Sequence, residues 1–402
     1  MNTNEPLILF PNVVTVAIGA FAWLIGVFIV RKIAILERYN IPASVIGGLF
    51  VAILFDFLHR QNVPLPKFDT ELINSLIIAF FASLGFGASL KVLKTGGADV
   101  IKYLAACSIL LFIQAFVGIG LAYILGQHPL FGALTSIVSL AGGPATALAF
   151  APSFEKVGII GAGTIGLATA MGGLLLGGVL GAPIGTILVR RKNLASEGGA
   201  NEVKAEDKSD WLSPDSFASE LLWQNAYLLI VGSVGWYLSK WLTSMGVTLP
   251  FYIGAMIIAA VVRNIDDATG IFKFNVKIMD AIGSTCLTFF IATSMMSLEL
   301  WTLASVASVL AIMLVAQAIF VGITALTVMF VTLGRDYDAA VMSCGYVGFM
   351  LGTTATALAG MRALTEKYGP APRAFLVVPI VGACFIDFVN ALVISICLNI
   401  FG

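Results

Sequence analysis

The sequence predicts an all-α integral membrane protein of about ten transmembrane helices and two re-entrant hairpins, arranged as two repeats of inverted topology. Three observations carry this. Of 402 residues, 59% are apolar and only 11% are charged, where soluble domains run at about a quarter charged. Ten apolar runs meet or approach the roughly 20 residues that a bilayer-crossing helix needs. The two halves of the chain also repeat each other's short motifs in order.

Composition excludes most other classes. A mean hydropathy of +0.99 leaves too little polar surface to cover a soluble globule. The 22 Lys and Arg balance 22 Asp and Glu, so there is no basic footprint for nucleic acid. Cys107, Cys286, Cys344, Cys384 and Cys397 are odd in number and form no CxxC, which indicates neither a disulfide framework nor a metal cluster.

The expected spans, in order, are 7–30, 41–58, 72–93, 100–126, 158–189, 219–243, 249–263, 276–298, 303–333 and 374–401. The first has no basic residue before it and is followed by Arg31 and Lys32, the reverse of a cleaved signal peptide, so it reads as a retained span. Two further apolar stretches, 129–152 and 338–361, are interrupted at their centres. One carries Ala141-Gly142-Gly143-Pro144; the other runs from Gly345-Tyr346-Val347-Gly348 through Gly352-Thr353-Thr354. Such interruptions suit hairpins that dip into the membrane and return.

Ten spans and two hairpins put both termini on one side. Eighteen basic residues, among them Arg31, Lys91, Lys94, Lys102, Arg190, Arg263, Arg335 and Arg373, fall in one set of loops, against Arg60, Lys67, Lys156 and Lys240 in the other. The cation-rich side is cytoplasmic by the positive-inside rule, so the termini face outward. The one long polar stretch, 193–218, reads as a cytoplasmic linker between an N-terminal repeat, 1–192, and a C-terminal repeat, 219–402.

Those repeats match sharply in one place. Residues 145–149 read Ala-Thr-Ala-Leu-Ala, and residues 355–359 read the same. Gln114-Ala115 parallels Gln317-Ala318, Phe80-Phe81 parallels Phe289-Phe290, and Ile41-Pro42 parallels Leu249-Pro250. Each half holds five spans and a hairpin, and five is odd, so the second half enters the membrane in the opposite sense. Inverted repeats whose broken helices meet at mid-membrane characterise secondary transporters.

The broken tips define the expected site. Gly143 can cap the half-helix that begins at Pro144, and Thr353 or Thr354 can cap the one that begins near Ala355. Each tip then presents free N–H groups and the positive end of a helix, a natural place for a carboxylate. Gly142, Gly143 and Gly352 let backbone approach the ligand, and Ser139, Thr146, Thr353, Thr354 and Thr356 supply hydroxyls. Asp387 lies about halfway along an otherwise uncharged last span, with Asn390 three residues on. A mid-membrane carboxylate costs about 2.5–3.5 kcal/mol to insert, so it is expected to line a functional cavity. Asp387 and Asn390, with the mid-span amides Gln114 and Gln317, are the candidate ligands of a hard cation such as Na⁺; Asn390 also lies within reach of substrate. No Lys, Arg or His lies mid-span to clamp an anion, which favours Na⁺ coupling.

On these residues the chain resembles the bacterial sodium/glutamate symporters. The likeness spans nearly the whole sequence and is densest at Gly47-Gly48, Leu140-Ala141-Gly142-Gly143, Gly334 to Ala340, Phe375 to Pro379, and Asp387 to Leu392. It implies Na⁺-coupled uptake of L-glutamate across the inner membrane, glycine-rich re-entrant loops at the translocation site, and a homodimer. The expected mechanism is elevator-like alternating access: the spans near 7–58 and 219–263 form a fixed scaffold, and 72–126, 158–189, 276–333 and 374–401 move with the hairpins. The alternatives are a Na⁺ symporter of citrate or malate, to which helix ends are equally suited, and a channel. No clustered acids or histidines suggest an enzyme.

Overall fold

The computed structural model describes residues 9–38, 41–61, 63, 67–69, 71–95, 97–196, 214–245, 250–296, 298, 300, 303 and 306–402. Most of the expected linker lies outside the described residues.

The chain is helical almost throughout. Leu9–Phe10 (β1) and Lys67–Phe68 (β2) form one two-residue parallel pairing. The first half contains α1 (Asn12–Lys32), α2 (Ala34–Arg38), α3 (Ala43–Arg60), α4 (Glu71–Gly87), α5 (Leu90–Thr95) and α6 (Gly97–Ile124), followed by α7 (Pro129–Ala133), α8 (Gly143–Lys156) and α9 (Ala162–Arg191). The second contains α10 (Pro214–Ser244), α11 (Phe251–Thr269), α12 (Val276–Met296), α13 (Ala307–Thr324), α14 (Phe330–Thr332), α15 (Tyr337–Met350), α16 (Thr354–Tyr368), α17 (Pro372–Ile380) and α18 (Ile386–Phe401). Wider π-helical turns occupy Leu134–Ala141, Ala325–Met329 and Val381–Phe385.

Among the described residues six helical stretches, beginning at Asn12, Glu71, Gly97, Ala162, Val276 and Ala307, are long and apolar enough to cross a membrane. The chain is a multi-pass membrane protein. Six is fewer than the ten runs read from the sequence. Two of the other runs appear as the shorter apolar helices Ala43–Leu58 and Ile386–Phe401, and α11 carries Arg263, Asp266 and Asp267 near its end.

Two groups of helices emerge from the packing. In one, α1 crosses α3, α10 crosses α11, and α4 and α12 lie against both pairs. The crossings are close: a β-carbon at Gly47 would overlap the backbone of Ala22, and one at Gly254 would overlap that of Gly235. Small residues at such contacts let apolar helices pack where lipid supplies no hydrophobic drive. In the other group α6, α9, α13, the broken segments and the last helix pack on one another, around a large core that also takes in Phe81, Tyr252, Met256 and Phe290 of the first group. The expected partition put 72–93 and 276–298 with the hairpins; α4 packs mainly on α11 and α12, and α12 on α4 and α3. Hydropathy marks a span as apolar but not which neighbour it chooses.

The two groups touch along this shared core. One contact is Tyr252 of α11, stacked on Phe81 of α4 at 4.5 Å and touched edge-on by Phe150 of α8 at 5.3 Å. Aromatic pairs of this kind contribute about 0.5–1.5 kcal/mol each beyond area burial.

Candidate functional site

The second broken segment is a closed hairpin. The Tyr337 hydroxyl at the start of α15 donates to the Gly369 carbonyl beyond α16 at 2.6 Å, and nearer the tip a β-carbon at Gly348 would run into the backbone of Ala357. The interruption expected at Gly345-Tyr346-Val347-Gly348 does not occur. Helix α15 continues to Met350, because Gly345 is pressed by Met361 and Val378 and Gly348 by Ala357. Here glycine makes room rather than breaking the helix. The chain turns at Leu351 and Gly352, and Thr353 is the cap, its hydroxyl accepting from the Thr356 N–H at 3.4 Å.

The first broken segment turns at Gly142-Gly143. Gly143 has φ +68°, a left-handed conformation that L side chains rarely adopt, and Pro144 follows at the start of α8. Both arms lie on α9: a β-carbon at Gly166 would stand 3.1 Å from Ala147, 3.2 Å from Leu134 and 3.3 Å from the Ser139 hydroxyl. The Gly142 N–H donates to Ile137, five residues back, closing the π turn at 3.0 Å. π-helical turns recur at functional sites because they leave carbonyls out of the regular ladder.

The tips meet. A β-carbon at Gly143 would lie 3.6 Å from the Thr353 methyl and 3.7 Å from the Gly352 carbonyl oxygen. Thr354 donates to the Gly382 carbonyl in the π turn of the last helix at 2.6 Å, tying the second tip to the segment just before Asp387.

Around the tips are amides with one hand occupied. Gln114 of α6 donates to the Met350 carbonyl at 3.3 Å, and Gln317 of α13 donates to the Gln114 carbonyl at 3.5 Å. Asn390 donates to the Ile137 carbonyl at 3.0 Å. The side-chain oxygens of all three are buried with no hydrogen-bond partner. A buried amide oxygen without a donor costs about 1–3 kcal/mol. Asp387, half-buried, faces no hydrogen-bond or ion-pair partner among the described residues.

Of the residues singled out from sequence, Gly142, Gly143, Gly352, Thr353, Thr354 and Thr356 are thus placed at the touching tips. Gln114 and Gln317 are joined by a hydrogen bond, and Asp387 and Asn390 lie on one helix. No hydrogen bond among the described residues links the first pair to the second. Thr146 is buried behind Gly142, and Ser139 donates to the Leu134 carbonyl at 2.5 Å, leaving its lone pairs as acceptors. Tyr346, part of the second interrupted stretch in the sequence, shares a 2.9 Å hydrogen bond between its hydroxyl and that of Thr324, beside the π turn that follows α13.

The family model described as sodium/glutamate symporter matches residues 8–370. The chain belongs to the sodium/glutamate symporter family. It is 34% identical over 395 residues to a protein of Haemophilus influenzae named sodium/glutamate symporter, an alignment covering 96% of this chain and 97% of that one. It is 35% identical over 387 residues to a protein of the same name from Escherichia coli, covering 95% and 96%. In this member of the sodium/glutamate symporter family, residues 8–370 take in both tips, Gln114 and Gln317, and stop just before the helix that carries Asp387 and Asn390. The alignments with the two relatives span nearly the whole chain.

Proposed function

We propose that this protein is a sodium-coupled symporter that brings L-glutamate across the bacterial inner membrane by alternating access. The observation that carries the reading is the meeting of the two tips beside buried, unpartnered amide oxygens. The names of the relatives supply the substrate and the ion.

Helices α8 and α16 begin at the touching tips, so their first N–H groups converge on one spot. Glutamate carries two carboxylates, and two helix N-termini suit them without an arginine. Thr353 and Thr356, whose hydroxyls lie 3.2 Å apart, add donors at the second tip. Na⁺ is held by the oxygens of Gln114, Gln317 and Asn390 together with Asp387, and its charge offsets that of the incoming anion. Binding the ion first therefore builds the site for the substrate, which is coupling in the thermodynamic sense.

The topology in this reading has ten spans, two inverted halves and both termini on the periplasmic side. Supporting it, the close crossing of α1 with α3 at Gly47 recurs for α10 with α11 at Gly254, 207 positions on. The eighteen-to-four bias of basic residues supports the orientation. The elevator-like movement is of the hairpin group against the group of α1, α3, α4, α10, α11 and α12. The latter is the static part and supplies the homodimer contact.

Glutamate binding to detergent-purified protein, followed by calorimetry with and without Na⁺, tests the reading. Saturable glutamate binding that needs Na⁺ is expected. Binding that ignores Na⁺, or that prefers citrate to glutamate, contradicts it.

A further inference from the structure

Beside the hairpin group runs a second cavity, far from the tips in chemistry. It is an apolar crevice of about 750 Å³ between the two helix groups. It is lined by Leu90 and Leu93 of α5, Ile257 and Val261 of α11, Phe385 of the last π turn and Phe388 of α18. Leu90 and Val261 are 53% and 50% exposed, so the crevice opens on the flank of the helix bundle.

The charge at its mouth is one-sided. Lys91 and Lys94 stand next to Leu90 and Leu93 on α5, exposed and without an ion pair among the described residues. The nearby carboxylates are spent elsewhere. Asp267 accepts from Ser89 and pairs with Arg263, while Asp266 accepts the backbone N–H groups of Phe272, Lys273 and Phe274. Asn264 pins α5 in place, donating to the Ala88 carbonyl at 2.9 Å and accepting from the Leu90 N–H at 2.8 Å. The two lysines are thus fixed beside an open apolar slot with no counter-charge of their own.

We infer that this crevice binds an anionic phospholipid, one acyl chain in the slot between the helix groups and the phosphate on Lys91 and Lys94. An apolar slot opening toward lipid takes a hydrocarbon chain, and unpaired lysines at the level of the headgroups select a negative one. The inference rests on the membrane orientation above, which puts Lys91 and Lys94 at the cytoplasmic leaflet, where anionic lipid is found.

Native mass spectrometry on protein passed through vesicles of phosphatidylethanolamine with one quarter phosphatidylglycerol tests it. The full chain is expected to retain one phosphatidylglycerol after delipidation of the rest. The double variant K91Q/K94Q should lose it at least tenfold more readily, and Leu93→Trp, which fills the slot but keeps both lysines, should lose it as well. Equal retention of the two lipids, or retention unchanged in both variants, overturns the inference. Glutamate uptake in the same vesicles is scored separately. Loss of Na⁺-driven uptake in the unaltered protein counts against the proposed function, whereas lipid retention alone decides the crevice.

Discussion

Asn390 of the last helix donates to the carbonyl of Ile137 in the first broken segment at 3.0 Å, and keeps its own carbonyl oxygen buried and unpartnered. One residue from the second half thereby holds the π turn of the first and, in the proposed function, lends its free oxygen to the ion. Replacing it with alanine removes both functions, while aspartate retains an acceptor. Asn390→Ala should raise the Na⁺ concentration for half-maximal glutamate uptake by about tenfold, equivalent to about 1.4 kcal/mol, and Asn390→Asp by less. The Na⁺ dependence of initial uptake rates measures this; an unchanged dependence in the alanine variant removes Asn390 from the ion site.

Asp387 lies one helical turn before Asn390 with no partner among the described residues. Asp387→Ala is expected to lower Na⁺-driven uptake to the level of empty vesicles, with normal amounts of protein in the membrane. Normal uptake in that variant would show that the carboxylate is not part of the transport site.

Gly143 tests the tips. Its φ of +68° penalises any β-carbon, by about 1–2 kcal/mol, and a side chain there would point toward Thr353 and the Gly352 carbonyl. Gly143→Val should abolish glutamate binding, and Gly143→Ala should weaken it, while both proteins elute as folded species from a size-exclusion column. Wild-type affinity in the valine variant contradicts the placement of substrate between the tips.

At the base of the second hairpin, Arg373 donates to Asp99 at 2.8 Å, to Asp336 at 2.7 Å and to the Leu333 carbonyl at 3.2 Å. The hydrogen bond to Asp99, with the second carboxylate beside it, raises the pKa of the guanidinium further. These groups are a third or more exposed, so Arg373→Ala should cost only about 1 kcal/mol. Thermal melting in detergent should show a fall of a few degrees at low salt and a smaller one at high salt. A salt-independent loss would mean that packing of the side chain, not its charge, matters.

Tyr252 offers a control of opposite sign. Its ring is held between Phe81 and Phe150, but its hydroxyl is buried with no partner. Tyr252→Phe should leave thermostability unchanged or raise it by up to about 1 kcal/mol, because a desolvated hydroxyl is removed. A marked loss would indicate a hydrogen bond made only in another state of the transport cycle.

Much of the site is legible in the sequence because its signals are local. Gly-Gly-Pro and Gly-Thr-Thr announce broken helices, and a carboxylate in the middle of an apolar run stands out by cost alone. The π turn at Leu134–Ala141 leaves no such mark, since its residues are as apolar as those of an α-helix and only the hydrogen-bond register changes. Gly345 and Gly348 mislead for a related reason: the same residue type breaks one helix and seats another, and the difference lies in what packs opposite, Val378 and Ala357. The grouping of α4 and α12 likewise depends on partners distant in the chain. The matched halves do not say which helices pack together.

The most direct test of the central claim is uptake of labelled glutamate into vesicles containing only this protein and lipid. An inward Na⁺ gradient should drive accumulation above the outside concentration, and replacing Na⁺ with K⁺ on both sides should abolish it. Accumulation without Na⁺, downhill equilibration alone, or Na⁺-driven accumulation of citrate in place of glutamate would contradict the account.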